Sequence, residues 1–141
     1  MKHLRTRPQG FTLIELLVVL AVLGLLAGLV GPRIINQFTS SKTKVAKLQI
    51  EDFAQALDVY KLDNGRYPNQ QEGLRALIER PPTATSWNGP YLKKNVLPKD
   101  PWGNDYQYVF PGRHGPYDLF SLGADNAPGG EGENADIVSW E

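Results

Sequence analysis

The acidic residues that could bind a metal gather in residues 122–136, which read LGADNAPGGEGENAD. Four glycines and a proline exclude a regular helix or strand in this stretch. Calcium takes about 6–8 oxygen ligands from carboxylates, backbone carbonyls and water. Candidate side-chain ligands are Asp125, Glu131, Glu133, Asn134 and Asp136, and candidate carbonyls belong to Leu122 and Ala124. The spacing is not that of an EF-hand, so a calcium site and a solvated acidic loop both stay open.

A further carboxylate, Glu15, lies inside the apolar run of residues 11–30. A 20-residue helix is roughly 30 Å long, which matches the hydrocarbon core of a bilayer. An unpaired ionised carboxylate within a span costs up to about 3 kcal/mol. Cleavage after Gly10 would make Phe11 a new N-terminus, and its amine could pair with Glu15 of a neighbouring subunit. This pairing requires a polymer of helices.

Charge placement predicts the orientation of this span. Lys2, Arg5 and Arg7 precede it without an acid, whereas residues 117–141 carry acids and no Lys or Arg. Basic flanks stay in the cytoplasm, so the C-terminal part is expected beyond the membrane. A cleaved secretory signal fits poorly because the apolar run is too long and contains Glu15. A simple membrane anchor leaves that carboxylate unexplained.

The composition excludes several classes of function. Lys and Arg number 15 and Asp and Glu number 15, so no net field favours nucleic acid. The chain has no cysteine and hence no disulfide. Its two histidines, His3 and His114, lie in no catalytic pattern, and neither G-x-S-x-G nor a phosphate loop is present. We therefore do not expect an enzyme.

The periodicity beyond the span predicts a long amphipathic helix that ends at Asn64-Gly65. Its apolar stripe comprises Ile35, Phe38, Ala46, Ile50, Phe53, Leu57 and Tyr60. Gly31-Pro32 predicts a kink or a melted turn. The basic and acidic halves of its charged face fit either a solvated surface or pairing between staggered copies.

The remaining residues predict a short helix over 71–79 and a tight turn over 100–104. Aromatic and branched runs predict strands at residues 91–92, 106–110 and 117–121, with a final strand in 137–140. The expected fold is α+β, with one long helix packed on a small antiparallel sheet and a C-terminal metal-binding loop.

Several motifs carry a family resemblance: GFTLIE before the apolar run, then LDNGRYP, YLKKNVLPKDPWGNDYQY, PYDLFSLGAD and ADIVSW. Together they resemble the type IV pilin-like precursors, and in particular the major pseudopilins of type II secretion systems, the general secretion pathway protein G family. The resemblance implies that a prepilin peptidase cuts after Gly10 and methylates Phe11, and that assembly depends on Glu15. It also implies a calcium ion held by Asp125 and Asp136. Gly132 replaces an acid found in relatives, so Glu131 or Glu133 is expected to supply the middle ligand.

The resemblance divides the chain into a leader (1–10), a transmembrane and assembly helix (11–31) and a periplasmic domain (32–141). It implies a homo-oligomeric helical filament that drives folded exoproteins across the outer membrane. The expected partners are minor pseudopilins, the prepilin peptidase, an inner-membrane assembly platform and the inner membrane itself, with no nucleic acid. The alternatives are a type IV major pilin, which forms a surface fibre, and a monomeric membrane-anchored binding module.

Overall fold

The computed structural model describes residues 8–141, which form two compact units divided between Phe38 and Thr39. One helix, α1 (Leu13–Asn64), precedes a short 3-10 helix (Gly73–Leu77). Three strands follow: β1 (Gln107–Val109), β2 (Asp118–Ser121) and β3 (Ile137–Val138), with a 3-10 turn (Gly132–Asn134) before the last. The expected α+β fold with a small antiparallel sheet is confirmed.

Helix α1 follows the predicted stripe only in part. Ala46, Ile50, Phe53, Leu57 and Tyr60 are buried and recur at steps of three and four, so one face of the helix covers the core. Ile35 and Phe38 belong to the first unit and are exposed, so their assignment to the core was wrong.

The two predicted discontinuities of α1 have different outcomes. The helix ends as expected, because Gly65 takes a left-handed φ of 76° and donates its N–H to the carbonyl of Lys61 at 2.8 Å. At Pro32 the melted turn is wrong, since helical residues continue through it, whereas the alternative, a kink, stays a prediction. Proline removes one backbone donor, and the turns on either side retain theirs.

The sheet has the order β1-β2-β3 with both pairs antiparallel. Tyr108 lies opposite Leu119, and Ser121 lies opposite Ile137. The core combines the buried face of α1 with side chains of the 3-10 helix, of the sheet and of the residue before β1: Leu74, Leu77, Tyr106, Tyr108, Leu119 and Ile137. Phe53 packs edge-on against Tyr106, with ring centroids 5.3 Å apart.

Two local predictions in the second unit were wrong. Residues 91–92 form no strand, because the N–H of Tyr91 donates to Leu77 O at 2.7 Å and its hydroxyl to Asp63 at 2.8 Å. These bonds hold the segment against helices instead of a strand. The helix expected over 71–79 shortens to the 3-10 helix, because Gly73 has a left-handed φ of 55°.

Glu72 joins the end of α1 to the loops that follow. Its two carboxylate oxygens accept a bidentate pair from Arg66 at 2.8 and 2.9 Å, and Thr83 also donates to it. The backbone N–H of Asn69 donates at 2.9 Å. The Arg66 guanidinium, with Thr83 and Asn69, lowers the pKa of Glu72 to about 2 although burial opposes the shift.

Candidate functional sites: the N-terminal segment and the acidic loop

The expected cleavage site lies just ahead of α1. Gly10, Phe11 and Thr12 are not helical, and the Phe11 side chain is 84% exposed. A Cβ added at Gly10 would meet no atom within 4 Å. Among residues 8–141, no atom therefore crowds the bond after Gly10. The basic residues Lys2, Arg5 and Arg7 and the histidine His3 lie outside the described residues.

Glu15 has a partner just before the start of its helix that the sequence analysis missed. The backbone N–H of Thr12 donates to its carboxylate at 3.3 Å, and the N–H of Glu15 donates to the Thr12 hydroxyl at 3.2 Å. This reciprocal arrangement is a capping box, and the T-x-x-E spacing could have identified it. The bonds satisfy two helix-end donors but bring no positive charge to Glu15.

The helix after Glu15 has apolar side chains that the rest of residues 8–141 leave uncovered. Among the described residues, α1 is the helix long and apolar enough to cross a membrane, and none of its apolar window is buried. Every side chain over residues 11–30 is exposed. A membrane or other helices would remove this surface from water.

The acidic loop, residues 122–136, is closed by contacts between its first arm, residues 122–125, and its second arm, residues 133–136. The N–H of Ala124 donates to Glu133 O at 2.8 Å. Gly123 has a φ of 72°, and a Cβ there would lie 2.7 Å from Glu133 O and 2.8 Å from Ala135 O. Glycine is required because the carbonyls of the second arm approach its backbone closely.

The predicted acidic ligands have different surroundings. Asp125 is exposed, and its Oδ1 accepts the N–H of Ala127 at 3.2 Å. Asp136 is half-buried, and its Oδ2 accepts the N–H of Gly129 at 3.0 Å. Glu131 is exposed, and its carbonyl accepts the N–H of Asn134 at 3.1 Å. Glu133 is half-buried and reaches the first arm through its backbone carbonyl.

The loop offers oxygens of mixed type to a cation such as calcium. Oδ1 of Asp136 is buried and has no hydrogen-bond partner among the described residues, which is costly unless a cation or water meets it. Within residues 8–141, no three His, Cys, Asp or Glu side chains converge as a metal cluster. Backbone carbonyls and water would therefore have to complete the shell, as calcium allows.

The second arm of the loop is fixed by the sheet. Beyond β3, the N–H of Ser139 donates to Leu119 O at 2.9 Å. The His114 ring stacks on Trp140 with ring centroids 4.0 Å apart, and its Nδ1 lies 3.1 Å from Oδ2 of Asp118. Burial would raise the pKa of Asp118, but the N–H groups of Arg113 and His114 and the His114 ring hold it below its ordinary value.

The family of the chain follows from sequence comparison. A family model described as type II secretion system (T2SS), protein G matches residues 33–140. This chain belongs to the type II secretion system protein G family. A second model, the prokaryotic N-terminal methylation motif, matches residues 5–31, which include Gly10, Phe11 and Glu15.

Individual members of the protein G family match along nearly the whole chain. The type II secretion system core protein G of Pseudomonas aeruginosa is 51% identical and covers 97% of this chain and 98% of its own. That of Vibrio cholerae is 46% identical and covers 99% and 96%. The crystal structure of the major pseudopilin from enterohaemorrhagic Escherichia coli is 34% identical, with a TM-score of 0.65, and covers 77% of this chain and 95% of its own.

Membership in the protein G family decides between the functional classes. The family is one of structural pseudopilins, so the chain is a structural subunit and not an enzyme. The full-length matches to core protein G favour the pseudopilin over the type IV major pilin. The methylation motif and the exposed apolar helix support anchoring in the inner membrane.

Proposed function

We propose that the mature chain, cut after Gly10 and methylated at Phe11, is the major subunit of a periplasmic pseudopilus. The observation that carries the proposal is the combination of a protein G match with an apolar helix that no other part of residues 8–141 covers. Removing that helix from water requires first the membrane and then neighbouring helices. The filament would move folded exoproteins through the outer membrane.

The distribution of charge supports a periplasmic location for the C-terminal unit in this proposal. The leader is basic, and residues 117–141 contain no Lys or Arg. The positive-inside rule keeps such a leader in the cytoplasm, where the prepilin peptidase would act on it. The assembly platform would then extract the mature subunit, and minor pseudopilins would join the same filament.

We propose further that the acidic loop binds calcium. Asp125 and Asp136 would supply carboxylate oxygens, the carbonyls of Leu122 and Ala124 would add two ligands, and Glu131 or Glu133 would supply the middle one. The buried, unpartnered Oδ1 of Asp136 supports this assignment. Bound calcium would supply positive charge that offsets the repulsion among the loop carboxylates.

Processing is the direct test of the proposed function. We expect Gly10→Val to leave a full-length, unmethylated precursor, because the peptidase would have to accept a bulky branched residue beside the bond it cuts. Gly10→Ala is the matched control, and we expect it to be processed. No atom lies within 4 Å of a Cβ at this position, so neither substitution disturbs the contacts of the described chain. Mass spectrometry of the wild type should find N-methylated Phe11, and an N-terminus at Met1 in secreting cells would contradict the proposal.

A further inference from the structure

Asp100 is a buried carboxylate that bonds to the turn following it. Asp100 is only 4% exposed. Oδ1 accepts the backbone N–H of Trp102 at 3.1 Å and that of Asn104 at 2.8 Å. The turn is also closed through its backbone, where the N–H of Asp100 donates to Asn104 O at 2.8 Å. The turn by itself therefore uses one oxygen of this carboxylate.

The second oxygen of Asp100 connects this turn to the end of β2. Oδ2 accepts the hydroxyl of Ser121 at 2.7 Å, and Ser121 is fully buried. An asparagine could accept the two turn N–H groups, but it has no second acceptor for the hydroxyl. Burying a carboxylate costs more than burying an amide, so aspartate needs a compensating interaction that asparagine would not make. The hydrogen bond accepted from Ser121 is that interaction.

Ser121 passes this constraint to the first arm of the acidic loop. Its hydroxyl oxygen accepts the N–H of Gly123 at 3.2 Å. That N–H shares a planar trans peptide with the carbonyl of Leu122, so the carbonyl must point away from Ser121. The next peptide is held as well, because the N–H of Ala124 donates to Glu133 O at 2.8 Å. The side chain of Asn104 approaches Gly123 O at 3.5 Å.

We propose that Asp100 is a positioning residue for calcium binding and acts through Ser121 to orient the Leu122 carbonyl. This inference rests on the calcium site proposed above. Asp100 touches no ion in it, and its effect is to hold a ligand in the bound orientation before calcium arrives. Outer-shell partners of this kind typically change metal affinity by about 10–100-fold.

The test uses the full chain in detergent micelles, titrated with calcium chloride in a calorimeter. We expect Ser121→Ala to raise the calcium dissociation constant at least about tenfold, because the Gly123 peptide loses its acceptor. Tyr108→Phe is the matched control. It removes another hydroxyl from the core, one that donates to Pro68 O at 2.7 Å, without touching the loop. Its dissociation constant should equal that of the wild type.

A second measurement separates positioning from a general loss of stability. Tyr108→Phe should lower the melting temperature equally in calcium and in chelator, whereas Ser121→Ala should also shrink the difference between them. Asp100→Asn keeps Oδ1 for the turn and replaces the acceptor of the Ser121 hydroxyl by a donor. Asp100→Asn should therefore weaken calcium binding as well. If Ser121→Ala does not fold, the dissociation constant of Asp100→Asn tests the positioning role.

The outcomes distinguish the inference from the proposal beneath it. A wild type that binds no calcium removes the metal site and the inference together. A wild type that binds, beside a folded Ser121→Ala or Asp100→Asn with an unchanged dissociation constant, overturns the positioning role alone. The positioning role would also be overturned if calcium raised the melting temperature of either variant as much as that of the wild type.

Discussion

The single residue Glu72 shows how hydrogen-bond donors lower the pKa of a carboxylate. Arg66 and Asn69 donate to it within 3 Å, and its side chain is 9% exposed. Its pKa falls from 4.5 to about 2. Because the folded pKa lies below the unfolded value, the ionised group stabilises the fold above the unfolded pKa, and this contribution is lost as the pH falls towards the folded pKa.

We predict that Glu72→Gln lowers the free energy of unfolding at neutral pH by about 1.5–3 kcal/mol, the usual range for a charge-assisted hydrogen bond. The difference from the wild type should be constant above about pH 5 and shrink as the pH falls towards about 2, where the wild-type carboxylate also becomes protonated. Denaturant unfolding of the full chain at several pH values measures this.

Glu79→Gln is the control for that experiment. Glu79 pairs with Arg75 at 3.4 Å, but both side chains are largely exposed, so the pair contributes little. A Glu72→Gln variant whose loss of stability is the same at pH 7 and pH 3 would contradict the assigned role of the Arg66–Glu72 pair.

The acidic loop is the element whose stability should depend most on a ligand. Its arms are tied at Ala124 and Glu133, while its carboxylates repel each other when no cation is bound. At a free calcium concentration about 100 times the dissociation constant, binding would add about 2.7 kcal/mol to the stability of the folded state. That is a large part of the stability of a small domain.

We predict that calcium raises the melting temperature of the full chain by several degrees relative to chelator. Asp125→Ala should remove most of this rise, and magnesium should replace calcium poorly because it prefers a smaller octahedral shell. Asp105→Asn is the control, since it removes an exposed carboxylate outside the loop that lies 3.9 Å from Lys99. Identical wild-type melting curves with calcium and chelator would show that the loop is merely solvated.

The element boundaries differ in how far local sequence could predict them. The end of α1 was predictable because a glycine adopts the left-handed conformation at little cost, as Gly65 does. The strand expected at Tyr91 was wrong because its backbone and hydroxyl bond to residues of helices that lie far away in the sequence. Strand propensity cannot anticipate such partners, because it reflects packing more than the backbone itself.

For the molecule as a whole, the feature that requires a partner is the exposed apolar helix that carries Glu15. The capping box with Thr12 satisfies hydrogen bonds, whereas the charge of Glu15 still lacks a cation inside the described chain. Assembly with a neighbour would supply the amine of Phe11. Hydrogen bonding and charge pairing can therefore be tested separately at this one residue.

We predict that Glu15→Val enters the inner membrane as well as the wild type, since the span becomes more apolar, but fails to form filaments. Glu15→Gln is the informative companion, because glutamine retains the capping box and removes the charge. It should fail as well. Membrane fractionation and electron microscopy of filaments give the two readouts. Normal filaments from Glu15→Gln would assign the role of Glu15 to the cap instead of the amine.

Local sequence was enough to predict the apolar span, the long helix with its end at Gly65, the three strands that form the sheet and the acidic composition of the loop. Each depends on side-chain periodicity or on the backbone freedom of a glycine, which neighbouring residues specify. Two contacts became apparent only in the folded chain: Asp100 accepts a hydrogen bond from Ser121, 21 residues away, and Gly123 lies close to the carbonyls of the second arm. Such contacts form between segments brought together by the shared core, so no local pattern in the sequence records them.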